Sequence, residues 1–189
     1  MKSVLIAIRP QWAEKIAKGI KTIEVRKTAP KEVPFKAYIY CIKEKKQDDI
    51  IWAGVCGDRG KWNGRVIGEF ICDRIEMVNA KCSDYGIDLF YHDCLTNGCL
   101  TEREIEKYFN VPEDRDLRAM KGNGYVWNIS DLKIYDKPKE LSEFRKPCDR
   151  FLDCCTCRRL VRNEYMSCDN KINRPPQSWM YVEDLGKEK

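Results

Sequence analysis

One histidine in 189 residues is the chain's sharpest scarcity. Hydrolases that activate a serine or cysteine through an imidazole need that ring beside the nucleophile, and His92 alone would have to supply it. A zinc deaminase needs His-x-Glu and a later Pro-Cys-x-x-Cys, whereas His92 is followed by Asp93 and Cys94. Both classes are set aside, and His92 reads as a surface or loop residue. Long apolar runs are missing too. Nothing approaches the roughly 18 residues of a membrane span, and Met1-Lys2-Ser3 leads into a strand-like run with no cleavable apolar segment. The expectation is a cytoplasmic protein without membrane contact. Repeats and low-complexity tracts are absent. In GVCGDRGKW, Gly54 and Gly60 are too far apart for a phosphate loop, and Trp62 stands where a magnesium-holding serine or threonine belongs. That stretch reads as a connecting loop.

What is present suits a globular protein: 43% hydrophobic, 11% aromatic and 34% charged residues, at a length for one compact domain. Eleven cysteines are many, and the odd number excludes a complete set of internal disulfides. Reduced thiols or metal ligands fit better in a reducing compartment. Net charge is +5, unevenly spread: between Arg145 and Arg174, eight basic residues face four acids. Such a stretch is an electrostatic footprint for phosphates, or simply a solvated surface.

Local patterns give an order of elements. Ser3 to Ile8 (SVLIAI) is a continuous apolar run, a buried strand. Pro10 suits a helix's first turn. Trp12, Ile16 and Ile20 recur every four residues, making Gln11 to Lys18 an amphipathic helix that Gly19 stops. Ile23 and Val25 then alternate with Thr22, Glu24 and Arg26, the pattern of a half-buried strand. Further strand signals cover Pro34 to Glu44, Gly64 to Val78 and Tyr125 to Asp136. Thr101 and Glu104 stand in capping-box spacing at the head of a second helix reaching Tyr108. Ser178 to Leu185 reads as a last strand or docked tail. Strands with only short helices predict an α+β fold, a small mixed barrel, rather than a doubly wound sheet. Pro138 and Pro147 bracket a compositional change that marks residues 145–174 as an insertion between 1–144 and 175–189.

Two constellations could carry chemistry. In GIKTIEVRK, Glu24 and Arg26 share one strand face, with Cα atoms about 7 Å apart. Lys21 sits at the helix-to-strand hinge, where its flexible stem reaches the same place. An exposed, ion-paired strand face is the plainer alternative. In the insertion, Cys154 and Cys157 form a Cys-x-x-Cys pair, with Cys148 six residues before and Cys168 eleven after. Four thiolates at such spacing point to structural zinc, which would offset the entropy of ordering a segment with little core. Cys155 could replace Cys154. Four thiolates on one zinc ion carry a net charge of about −2, which weakens the basic patch. Cys41 and Cys72 look like core packing.

The stretch IRPQWAEKIAKGIKTIEVRKTAP resembles the opening of the ASCH family of PUA-like β-barrels. The strand, the helix and a Gly-x-Lys-x-x-Glu-x-Arg motif (Gly19, Lys21, Glu24, Arg26) come in the family's order. GRVIGEF, YVWNISDLKIYDKPKEL and RPPQSWMYVEDL resemble a version of the family carried by phages and prophages. The resemblance implies a PUA-like barrel with short flanking helices and a cysteine-rich insertion, binding RNA or a modified nucleoside in a cleft lined by the motif. Some similar small members are acetylcytidine amidohydrolases pairing the motif lysine with a threonine; the matching position here is Glu24. Another member is a ribonuclease, and Lys21, Glu24, Arg26, Tyr38 and Glu69 are the residue types such work needs. In a hydrolase Glu24 would serve as a general base through a water. For binding alone, Lys21 and Arg26 would hold a phosphate and Glu24 would accept from a base's exocyclic amine. Tyr40 or Trp127 would stack the base, with Glu69 lining the site. Binding is the preferred reading because glutamate stands in the threonine's place. A hydrolase using Lys21 and Glu24 is the alternative, and a module docking a host or phage protein is a third.

Overall fold

The computed structural model describes residues 1–43, 59–112, 117–147, 160–161, 164–165 and 170–186. The apolar run at the start forms β1 (Lys2–Ile8), buried at every position after Lys2 because strands flank it and apolar layers cover both its faces. Pro10 opens α1 (Pro10–Ala17) at the position where a missing amide costs nothing. Gly19 ends it with φ +69°, a left-handed conformation that a side chain would oppose. The chain leaves the helix there, so Ile20 is 58% exposed instead of continuing the apolar face.

Strands β2 (Ile23–Arg26), β3 (Phe35–Cys41), β4 (Val66–Cys72), β5 (Ile75–Asn79), β6 (Asn123–Asn128), β7 (Ser130–Lys139), β8 (Leu160–Val161), β9 (Glu164–Tyr165) and β10 (Trp179–Val182) follow. The largest sheet runs β10-β1-β3-β4-β7, with β1 and β3 parallel and the other pairs antiparallel. A three-stranded sheet runs β2-β6-β5, and β8 pairs with β9. Arg145 and Lys171 form an antiparallel bridge, and the Lys146 amide donates to the Asn170 carbonyl.

Three apolar layers result. Val4, Ile6, Phe35, Ile39 and Phe70 on one face of the large sheet pack with Ile16 of α1 and Trp127 of β6. Leu5, Tyr38, Tyr40, Phe144 and Val182 cover the other face. Ile23, Val25 and Val126 of the small sheet pack under helices α3 (Asp84–Thr96) and α4 (Glu102–Phe109), numbered after the single turn α2 (Arg59–Trp62). Thr101 caps α4 in the expected reciprocal box with Glu104. The sequence reading has no counterpart for α3. Its apolar stripe, Ile87, Phe90 and Cys94, is short, and Gly86 and the polar run after Ser83 mask it. His92 lies exposed on α3. Cys41 and Cys72 are buried in the first layer as expected, and burial pushes the Cys72 thiol up to about 12. Among the described residues no helix is long and apolar enough to cross a membrane.

Candidate functional site

The alternation on β2 decides where the charges go. Ile23 and Val25 turn toward the helix layer, so Glu24 and Arg26 turn the opposite way, opposite Trp127 and Tyr125 of β6. Lys21, just before the strand, is fixed by its amide donating to the Lys15 carbonyl. All three side chains are nearly out of water, with residue exposures of 3% for Lys21, 7% for Glu24 and 9% for Arg26. One carboxylate sits between two cations: Lys21 Nζ is 3.5 Å from Glu24 Oε2, and Arg26 Nη2 is 3.1 Å from Glu24 Oε1.

The cations are also tied to the scaffold. Lys21 Nζ donates to the Gly98 carbonyl at 2.7 Å and lies 5.6 Å from the centre of the Trp12 ring. Gly98 must be glycine, because a Cβ there would come within 2.5 Å of the Cys94 carbonyl oxygen. Arg26 Nη2 donates to the Ala7 carbonyl at 2.7 Å, and Nη1 to Ser178 Oγ at 3.4 Å. Two buried atoms of the group remain without a hydrogen bond, Glu24 Oε2 and Arg26 Nε. Glu24 Oε2 thus has an ion-pair neighbour in Lys21 but accepts no proton from it.

These residues form the floor of a cleft of about 730 Å³. Its walls come from the end of β1 and the start of α1 (Ile8, Arg9, Gln11, Trp12), from α4 and its exit (Lys107, Tyr108, Asn110), and from the segment before β10 (Gln177, Ser178). Arg9, Lys27 and Lys107 also line it and are exposed; against them stands the partly exposed Glu104, so its rim is cationic on balance. Tyr108 is 36% exposed at that rim, with Lys27 Nζ 5.1 Å from its ring centre. Burial raises the Tyr108 hydroxyl above its ordinary range, an effect that neighbouring Arg26 opposes and Glu24 reinforces.

The structure therefore gathers Lys21, Glu24 and Arg26 and leaves three other expected ligand residues elsewhere. Trp127 is fully buried, edge-on to Phe35 and Trp179; it is Glu24's cross-strand neighbour but core, not cleft wall. Tyr40 and Glu69 do not line the cleft. Tyr40 packs in the layer on the large sheet's second face, and Glu69 Oε2 accepts from the Tyr135 hydroxyl at 2.6 Å. Tyr38, opposite Glu69, donates to Asp184 Oδ1 at 2.6 Å, and Lys36 Nζ reaches the same oxygen at 3.1 Å. The aromatics that do line the cleft are Trp12 and Tyr108, which the sequence pattern marks only as a residue of the first helix's apolar face and the end of the second helix. Their signal was proximity in sequence to the charged motif for Trp12, and for Tyr108 a helix end flanked by Lys107 and Asn110. Cys148, Cys154, Cys157 and Cys168 lie outside the described residues. Among the described residues no three His, Cys, Asp or Glu side chains are grouped to hold a metal ion.

No protein-family model matches the chain, and no curated protein does. The likeness is to solved structures. The crystal structure of an ASCH protein from Zymomonas mobilis is 17% identical, covering 96% of this chain and 88% of that one, with a TM-score of 0.54. A tyrosine-to-phenylalanine variant of that protein matches at 16% identity, 97% and 91% coverage and a TM-score of 0.54. A serine-to-alanine variant matches at 17% identity, 96% and 89% coverage and the same TM-score. At these identities the likeness establishes the fold: the chain has the α+β architecture of the ASCH structures.

Proposed function

We propose that the cleft binds RNA or a modified nucleoside, with a base inserted edge-first against Glu24 and Arg26. The observation that carries this reading is the pair of buried atoms without a hydrogen bond at the floor, Glu24 Oε2 and Arg26 Nε. An unpaired buried acceptor or donor costs about 1–3 kcal/mol, so the floor is stabilised by a ligand that supplies a donor beside an acceptor. The exocyclic amine and adjacent ring nitrogen of cytosine or adenine have that arrangement with the donor on the exocyclic group; uracil exchanges the two roles, donating from its ring nitrogen and accepting at its exocyclic oxygen, and so would have to sit shifted on the floor. Likeness in fold to ASCH structures supports the same class of ligand. A structural zinc on Cys148, Cys154 or Cys155, Cys157 and Cys168 belongs to the proposal, tested by metal analysis of the purified protein.

The test incubates purified protein with short RNAs, cytidine, acylated cytidine and uridine, reading retention and products by mass spectrometry. Retention of the cytidine forms over uridine, without product, is expected, and Glu24→Gln should abolish the preference while a parallel melt reports its folding. Because the cytidine-to-uridine comparison needs no variant, it stands even if Glu24→Gln is unstable. Release of acetate or of RNA fragments would replace this reading with the hydrolase, and retention of none of these probes would turn attention to a protein partner.

A further inference from the structure

We propose that the cleft takes a single-stranded RNA segment rather than a free nucleoside, with Tyr108, Lys27 and Lys107 forming an outer subsite for the neighbouring nucleotide. This rests on the floor being a seat for a base. The floor cations are poorly placed for phosphate. Arg26 Nη2 and Nη1 already donate to Ala7 and Ser178, and Lys21 Nζ to Gly98. Glu24 stands 3.1 Å and 3.5 Å from the two cations, so an entering phosphate would meet a carboxylate and compete with it. The rim differs: Arg9, Lys27 and Lys107 line the cleft from exposed positions on three separate segments. A nucleoside carries no phosphate and would leave them without an anion, whereas an oligonucleotide brings one at each linkage.

Tyr108 supplies the other half of the subsite. Its ring stands partly exposed with the Lys27 ammonium 5.1 Å from its centre, so an aromatic face and a mobile cation share one place. Every base has a face to stack, while phosphates seek the cation. An entering base takes the position over the ring, and Lys27 turns to the adjoining phosphate. Double-stranded RNA does not suit this geometry, because a base whose pairing edge meets Glu24 has already left its partner.

Fluorescence anisotropy with a short labelled single-stranded RNA of mixed sequence, across a salt series, tests this, with cytidine as competitor. Single-strand binding loses about 0.7 in the log–log salt slope for each phosphate contact removed. The expected result is RNA binding well above cytidine, with the slope falling by about 1.4 in the Lys27→Gln, Lys107→Gln double variant. The Lys133→Gln, Lys137→Gln double variant, the same charge change on β7 at the far edge of the large sheet, should leave the slope unchanged. Tyr108→Ala should weaken RNA by about 5- to 100-fold and leave cytidine untouched. Cytidine binding as tightly as RNA, or a double variant with the full slope, would overturn the outer subsite and leave the floor reading standing. Binding of neither probe would remove both.

Discussion

Glu24 and Asp184 are both carboxylates drawn largely out of water beside a lysine, but their oxygens are treated differently. Asp184 Oδ1 receives the Tyr38 hydroxyl, the Lys36 ammonium and the Gly186 amide. Tyr38 in turn accepts from the Leu185 amide. The result is a closed clasp that pins the segment after β10 to β3. Glu24 has ion-pair neighbours on both sides and still leaves Oε2 without a hydrogen bond. A polar network in which every member is satisfied rigidifies a fold. One left incomplete at the floor of a cleft is a place for something to bind. Lys21, Glu24 and Arg26 are close in sequence, whereas the clasp joins Lys36 and Tyr38 to Asp184 from the far end of the chain; what separates the two carboxylates is the set of donors that faces each.

The largest effect should come from emptying the incomplete network. Glu24→Ala leaves Lys21 and Arg26 facing each other, nearly buried, with no compensating charge. Breaking a buried pair in this way costs about 3–5 kcal/mol, so a fall of that size in unfolding free energy, measured in urea, is expected. A cost below about 1 kcal/mol would mean that the triad is solvated and that the comparison with Asp184 has no force.

Asp184→Asn should cost about 1.5–3 kcal/mol, the range for hydrogen bonds to a charged group, and its effect should depend on pH. Burial pushes the Asp184 carboxyl up, but the bonds from Tyr38, Gly186 and Lys36 together outweigh it and leave the carboxyl below its ordinary 3.8. A depressed carboxyl contributes stability that is whole above the unfolded value and is lost as pH falls through the folded one. The gap between parent and variant melting temperatures should therefore be full at pH 7 and shrink in acid, below about pH 4. A gap independent of pH would make the clasp a matter of packing alone.

How far such contrasts were legible beforehand depended on whether the decisive contacts were local. The pattern Ile23, Glu24, Val25, Arg26 placed both charges on one strand face, because alternation is a property of the strand itself. The Thr101–Glu104 box marked the start of α4 for the same reason. Trp127 and Tyr40 were expected against a ligand, yet an aromatic on a strand goes wherever the adjoining layer lies, and here Phe35 and Trp179 enclose Trp127. Tyr108 reached the cleft for an equally nonlocal reason: α4 packs its Ile105 and Phe109 side under the small sheet, which leaves the tyrosine outward beside Lys27. Glu69 was available to Tyr135 only once β4 and β7 paired.

Lys27→Gln should have the smallest effect on folding. The side chain is exposed, and a cation over an aromatic ring at such a site contributes about 0.5–1 kcal/mol, so a loss of no more than that in unfolding free energy is expected. The floor and the rim then part company: Glu24 variants lose stability and binding together, whereas Lys27→Gln keeps a near-parental melting curve and loses salt-dependent RNA affinity. The two measurements on one variant also test the position of Lys27 over Tyr108. If Lys27 stabilises the ring more than it serves a phosphate, melting will shift while the salt slope stays put. The cationic rim would then be a solvated edge of the fold, and Glu24 with Arg26 would be the whole of the site.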